Sequence, residues 1–299
     1  MTPEERAAEL ARTPLEVVGS QQGFLVGTVQ SVQQIWRYRH LLLLLTRREI
    51  KVRYKNSAFG LAWSLIRPLA MLIVYYVAIG KFLGAERSIP DFAIYIFTGL
   101  TGWQLFNEIL ASSTSSILGN AGLIKKIYLP REVFPLSAVG SALFNFTMQL
   151  GILTIATFVV GKPPTLEGLL FLPPAIAVLL VYGTAIGLVT AAANVYLRDV
   201  QYLVEITLMA LFWTTPTVYS WELVRDAVSS SLVESIYLCN PVAVSILAMQ
   251  RTFWVAGADE PAPENLGLRL VVMLVFGLAF LWVGQRAFSR LEGNFAQEL

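Results

Sequence analysis

The chain has 299 residues, of which 56% are hydrophobic and only 14% charged, with a mean hydropathy of +0.62. Soluble domains carry about 25% charged residues. No water-soluble fold hides this much apolar surface, so an all-α integral membrane protein is expected. A single cysteine, Cys239, excludes an internal disulfide, and a single histidine, His40, leaves histidine metal sites and Ser-His-Asp catalysis poorly supplied.

Residues 1–30 mix polar and small side chains and do not read as a signal peptide. They are assigned to a cytoplasmic extension. Residues 31–57 form the next unit. Between Ile35 and Lys55 they hold Arg37, Arg39, Arg47, Arg48, Lys51, Arg53 and Lys55 against one acid, Glu49, and interleave them with Trp36 and five leucines. Such a pattern predicts an amphipathic helix in the membrane interface, leucines in the acyl layer and basic groups toward phosphates. A positive-inside anchor explains it; a sharper reading has some of these cations meeting a diphosphate on a lipid-borne cargo.

Six apolar runs of roughly 20 residues follow, enough to cross a hydrocarbon core about 30 Å thick. They lie near 61–83, 92–117, 133–160, 169–193, 200–219 and 266–285, so that 58–290 forms one six-helix membrane domain and 291–299 a cytoplasmic tail. The joint between the fifth and sixth runs is long. Asn240-Pro241 cuts its apolar part into two pieces too short to span, since proline interrupts helix hydrogen bonding. Two short helices dipping into one face of the membrane are expected there. With six crossings and an inside N-terminus, sixteen of the 22 Lys and Arg residues fall on the inner side, which places both termini in the cytoplasm.

Arg67 lies within the first run beside Pro68, where a charge needs a partner or water. Glu108, in the second run, is at a depth differing by only about 6 Å at ~1.5 Å per residue. The two are expected to pair or to face one polar cavity; the plainer alternative is that Arg67 snorkels to the surface. Tyr75, Tyr76, Tyr95, Trp103, Phe106, Phe212, Trp213 and Tyr219 lie inside the runs. Their rings suit stacking on sugar faces, or ordinary helix packing. Gly183 and Gly187 permit close helix approach. Two inner joints, 122–132 and 196–200, combine charged and apolar faces suited to a cytoplasmic partner, or are plain turns. No phosphate loop, H-E-x-x-H or G-x-S-x-G string occurs, so the chain supplies neither its own ATP site of that class nor a recognisable catalytic constellation. It is not expected to be an enzyme by itself, to hold a metal or cofactor, or to bind nucleic acid.

The strings KVRYKNSAFG (51–60) with Trp63 and Pro68, LIKKIYLPREVFP (123–135), NVYLRDV (194–200) and WTTPTVY (213–219), in that order, closely resemble polysaccharide-export ABC-2 permeases. These export O-antigen, teichoic acid or cell-wall galactan. The resemblance runs from about Trp36 to the C-terminus. It implies six spanning helices, short extracellular re-entrant helices between the fifth and sixth, a homodimer, and two copies of a separate ATPase subunit that brings ATP and Mg. It further implies that Leu123, Ile124, Lys125, Lys126, Ile127, Tyr128 and Leu129 form a coupling helix, with Arg198 and Asp199 in a second contact. The helix ending near Lys55 becomes a gate helix for a polyprenyl-diphosphate-linked polysaccharide, with Arg39, Arg48, Lys51, Arg53 and Arg67 as the diphosphate-facing cations, and the aromatics of spans one, two and five line a sugar channel. The bacterial cytoplasmic membrane is the implied location. The competing expectations are an ABC-2 exporter of a small molecule or lipid, and a membrane-embedded glycan enzyme.

Overall fold

The computed structural model describes every residue except 1–23, 56, 58, 127–128 and 228–230. Most of the 1–30 extension, and Ile127 and Tyr128 of the expected coupling helix, therefore lie outside the described residues. Among the described residues all regular structure is helical. In chain order the helices are α1 (Phe24–Arg37), α2 (Arg39–Tyr54), α3 (Trp63–Tyr75, continued as a π-helix through Tyr76–Phe82), α4 (Phe92–Gly119), α5 (Val133–Val159), α6 (Leu172–Tyr196), α7 (Val200–Trp213), α8 (Trp221–Ala227), α9 (Ser231–Tyr237), α10 (Pro241–Phe253) and α11 (Leu266–Leu291).

Among the described residues four stretches are long and apolar enough to cross a membrane: Trp63–Phe82, Val133–Val159, Leu166–Tyr196 and Leu266–Asn294. The other two predicted spans depart from that standard in different ways. Helix α4 has 28 residues, a length of about 42 Å. It is rich in polar side chains, from Thr98 and Thr101 through Gln104, Asn107 and Glu108 to the serines near its end, and it is enclosed by its neighbours rather than facing lipid. Helix α7 stops after 14 residues, a length of about 21 Å. The expected run to residue 219 ends early because Pro216 brings no backbone N–H and the chain turns at Thr214 and Thr215.

Helix α6 packs between α4 and α11. Glycine is required on its α4 face: a Cβ at Gly183 would stand 2.9 Å from Ile109 Cγ2, and one at Gly187 2.8 Å from Ser113 Cβ. The four-residue spacing on α6 meets a four-residue spacing on α4, so the Ile109 and Ser113 side chains seat directly on the bare α6 backbone at the two glycines. Toward the end of the same seam, the Thr114 and Thr190 hydroxyls are 2.7 Å apart and Asn194 Nδ2 donates to the Thr114 carbonyl at 3.0 Å.

The two ends of the bundle differ. At one, Leu45, Ile117, Ile124, Val133, Phe134, Phe288 and Phe295 form an apolar cluster. Around it Gln285 Nε2 donates to Ser31 Oγ (2.8 Å) and Glu132 Oε1 (2.7 Å), and Tyr196 Oη to the Leu291 carbonyl (2.6 Å). Helix α1, both charged joints and the C-terminus thus share one end. Burial holds the Glu132 carboxyl above the usual glutamate value, against the opposing pull of Gln285 and Arg286. At the other end Lys162 pairs with Asp91 at 2.7 Å, and Trp254 Nε1 donates to the Pro90 carbonyl at 2.5 Å. Here the chain breaks at Asn240-Pro241 as the sequence predicts. Asn240 Oδ1 caps α10 by accepting from the Val242 and Ala243 amides at 3.0 and 3.3 Å. Helix α10 has 13 residues, about 20 Å, and sits almost wholly buried against α4 and α6.

Candidate functional site: a polar and aromatic cleft

The site begins with the seating of α2. Leu45 is buried, Thr46 Oγ1 donates to the Ser137 carbonyl at 3.5 Å, and Ser137 Oγ donates to Glu49 Oε1 at 2.5 Å, so this face lies on α5. Burial pushes the Glu49 carboxyl up from the ordinary glutamate value; the Ser137 hydrogen bond, Arg48 and Arg53 pull it partly back. Arg48 bonds Asn120, the residue that ends α4, whereas Arg53, five residues on, pairs with Glu108 in the middle of α4. Those two partners are about 18 Å apart along α4 at ~1.5 Å per residue. Helix α2 therefore slopes along the bundle, its C-terminal end toward the middle of α4. It is also a separate helix from α1, with Tyr38 at the joint, so residues 31–57 do not form one rod.

Glu108 is thus paired with Arg53, not with Arg67 as one sequence expectation had it. Its side chain is 9% exposed and that of Arg53 37%. A buried carboxylate needs its lone pairs filled, and Asn145 Nδ2 supplies a second donor to the same Oε1 at 2.7 Å. The alternative expectation, one shared polar cavity, describes the geometry: Arg53, Arg67 and Glu108 all stand on the wall of a cleft of about 850 Å³.

Helix α2 brings Arg53 to this cleft, and four further helices build the rest of it, each by a face of i, i+3, i+4 spacing. Helix α3 presents Trp63, Ser64, Arg67, Met71 and Tyr75; α4 presents Trp103, Gln104, Asn107, Glu108 and Ser112; α5 presents Asn145 and Gln149; α7 presents Glu205, Met209, Phe212 and Trp213. The rings touch: Tyr75 to Phe212 at 5.8 Å, Trp103 to Phe212 at 5.4 Å edge-on, and Phe212 to Trp213 at 5.4 Å. The wall therefore alternates aromatic faces with amide and hydroxyl groups, and carries guanidinium groups.

Of the eight aromatics singled out in the sequence, Tyr75, Trp103, Phe212 and Trp213 line the cleft. The other four lie elsewhere. Phe106 is buried in the core, Tyr76 donates to Glu86 Oε2 at 3.1 Å, Tyr95 is enclosed with its hydroxyl on the Tyr219 carbonyl at 2.6 Å, and Tyr219 donates to the Trp213 carbonyl at 3.0 Å. Of the five cations, Arg53 and Arg67 reach the cleft; Arg39 lies over the Trp36 ring at 5.3 Å, Arg48 is at Asn120, and Lys51 is exposed on α2. Sequence reasoning missed Trp63, Gln104, Asn107, Asn145, Gln149 and Glu205. The signal was present as a polar stripe at 104, 107, 108 and 112 on α4 and the four-residue spacing of Asn145 and Gln149 on α5.

Residues 40–254 match the family described as ABC-2 type transporter. The chain belongs to the ABC-2 type transporter family. The O-antigen export system permease protein RfbA of Myxococcus xanthus is similar to it, 27% identical over 271 residues, which cover 91% of this chain and all of that protein. An O-antigen export system permease protein RfbA of Klebsiella pneumoniae is 29% identical over 259 residues, 87% of this chain and 95% of that one.

In this ABC-2 transporter the two charged joints both lie at the end shared with α1. A short helix, Ala121–Ile124, buries Ile124 in the apolar cluster with Leu123 and Leu129 packed against it, and leaves Lys125 and Lys126 exposed. Arg198 and Asp199 are exposed on the second joint.

Proposed function

We propose that this ABC-2 protein is the membrane permease subunit of an ATP-driven transporter that exports a polysaccharide carried on a polyprenyl diphosphate. The observation that carries the reading is the cleft itself: Arg53 and Arg67 share one cavity with the Tyr75–Phe212–Trp103 ring cluster and Trp213. Aromatic faces stack on the apolar faces of sugar rings. Gln104, Asn107, Asn145 and Gln149 supply donors and acceptors for hydroxyls, and guanidinium groups match phosphate oxygens. The similarity to O-antigen export permeases supports the same cargo class.

In this reading the chain works as a homodimer with two copies of a separate ATPase, which binds the ATP and Mg. Six crossings, with the fifth completed by the segment after α7 and with α8–α10 as short helices at the outer mouth, put both termini on the cytoplasmic side of a bacterial cytoplasmic membrane. The bias of sixteen basic residues to that side supports the orientation, as does the common end shared by α1, the joints and the C-terminus. The ATPase seats on Leu123–Leu129 and on Arg198 and Asp199. Because Ile124 is embedded beside Ile117 and Phe134, a push on that joint is passed to the adjoining ends of α4 and α5. Both helices carry cleft wall, so the push changes the cleft's width.

Depletion of the protein tests the proposal. Lipid-diphosphate-linked glycan is expected to accumulate on the cytoplasmic side, and restoration by the wild-type chain to require the ATPase. Normal export in the depleted cell counts against it.

A further inference from the structure

We infer that Glu108 is a specificity-determining residue: by occupying Arg53 in the resting cleft it keeps singly charged lipid phosphates out, while a diphosphate is able to displace it. This inference rests on the lipid-diphosphate reading above. The cleft is bordered by side chains of α3 and α7 that the fold leaves uncovered, among them Met71 (46% exposed), Met209 (64%) and Trp213 (58%). The cleft is therefore open on this side of the protomer, and in the proposed reading this opening is where a lipid enters. Two bare guanidinium groups in such a place form charge-assisted hydrogen bonds to any phosphate that arrives, and the bilayer offers phosphodiesters in vast excess over any cargo.

The resting wall removes that attraction. Among the described residues its charged groups are Arg53, Arg67, Glu108 and Glu205, two of each sign, so their formal charges cancel. Glu205 accepts from Gln201 Nε2 at 3.4 Å on its own helix. Among the described residues no ion pair is formed by Arg67, so it is the cation open to a ligand. Arg53 is held by Glu108. A phosphodiester carries one negative charge, as does Glu108, so it has no electrostatic advantage in taking Arg53 and leaves a second anion beside it. A diphosphate carries more charge and two phosphate groups, and bridges Arg67 to Arg53. The displaced carboxylate is not abandoned, because Asn145 still donates to it. Specificity arises here from a built-in competitor that only the better ligand overcomes.

The test uses the purified full-length chain and native mass spectrometry with two probes, undecaprenyl diphosphate and dioleoyl phosphatidylglycerol. Wild type is expected to retain the diphosphate in preference. Glu108→Gln keeps an oxygen for Asn145 but removes the charge that competes for Arg53, and phosphatidylglycerol retention is expected to rise about tenfold, erasing the preference. Arg67→Gln leaves the Arg53–Glu108 pair intact and is expected to lose about tenfold in diphosphate retention with phosphatidylglycerol still excluded. An unchanged preference in Glu108→Gln, or unchanged diphosphate retention in Arg67→Gln, overturns the inference and leaves the export reading standing. A wild-type chain with no preference for the diphosphate overturns both. Should Glu108→Gln fail to fold, the exposed position of Arg67 keeps the second variant decisive.

Discussion

Arg53, in the last turn of α2, and Glu108, in the middle of α4, form an ion pair across 55 positions of chain. It ties the inward end of a basic helix to the long, largely buried helix α4, and Asn145 on α5 completes the contact at 2.7 Å. A double-mutant cycle on Arg53 and Glu108, followed by thermal unfolding in detergent, is expected to give a coupling of about 1–3 kcal/mol. The same cycle on Arg67 and Glu108 is expected to stay within about 0.5 kcal/mol, the additive limit for groups that do not touch. The reverse order of couplings would restore Arg67 as the partner.

Glycine at 187 is required by the 2.8 Å approach of its would-be Cβ to Ser113. Gly187→Leu is expected to destabilise the fold by about 1–3 kcal/mol through overpacking of the α6–α4 seam. Gly151, on α5, is exposed, and a Cβ there would meet nothing within 4 Å. Gly151→Ala is therefore expected to be neutral or to stabilise by up to about 1 kcal/mol, the helix-propensity gain. Equal effects at the two sites would show that propensity, not packing, governs Gly187.

The raised value of Glu49 has a definite sign. Burial disfavours its charged form in the folded state, so its contribution to stability is full below the ordinary glutamate value and is lost as pH rises through the raised one. Melting temperatures across that window are expected to fall for wild type. Glu49→Gln, which keeps an oxygen to accept from Ser137, is expected to flatten the decline and to be the more stable protein above it. A steeper decline in the variant would mean that the Arg48 and Arg53 charges outweigh burial.

Aromatics inside and outside the cleft separate by readout. Trp213 is 58% exposed and lines the cleft, so Trp213→Ala is expected to lower the export rate with little change in melting temperature. Tyr95 is enclosed, and its hydroxyl donates to the Tyr219 carbonyl. Tyr95→Phe is expected to cost about 1 kcal/mol of stability and to leave transport per folded molecule unchanged. Export assayed beside thermal unfolding distinguishes the two.

The exposed pair Lys125 and Lys126 next to a buried Ile124 makes the joint a surface that can be altered without touching the core. Reversing both charges to glutamate is expected to abolish co-purification with the ATPase while stability holds within about 0.5 kcal/mol of wild type, the usual range for surface substitutions. Retained co-purification would move the contact elsewhere.

By itself the sequence determined what depends on local composition. Apolar runs as long as a bilayer is thick read directly as spans in α3, α5, α6 and α11, and the proline at 241 dictated the helix break that starts α10. Tertiary structure decided what depends on rotation and slope. A charge in an apolar run calls for a partner, but which of several arginines reaches Glu108 is set by the inward tilt of α2, and that tilt follows from contacts with Ser137 and Asn120 far away in the chain. Likewise eight aromatics were visible, yet only the helix rotations turned Tyr75, Trp103, Phe212 and Trp213 into one cleft and Tyr95 and Phe106 into the core. Length and charge are carried by each residue wherever it goes; facing is a property of pairs of helices, and it exists only once they pack.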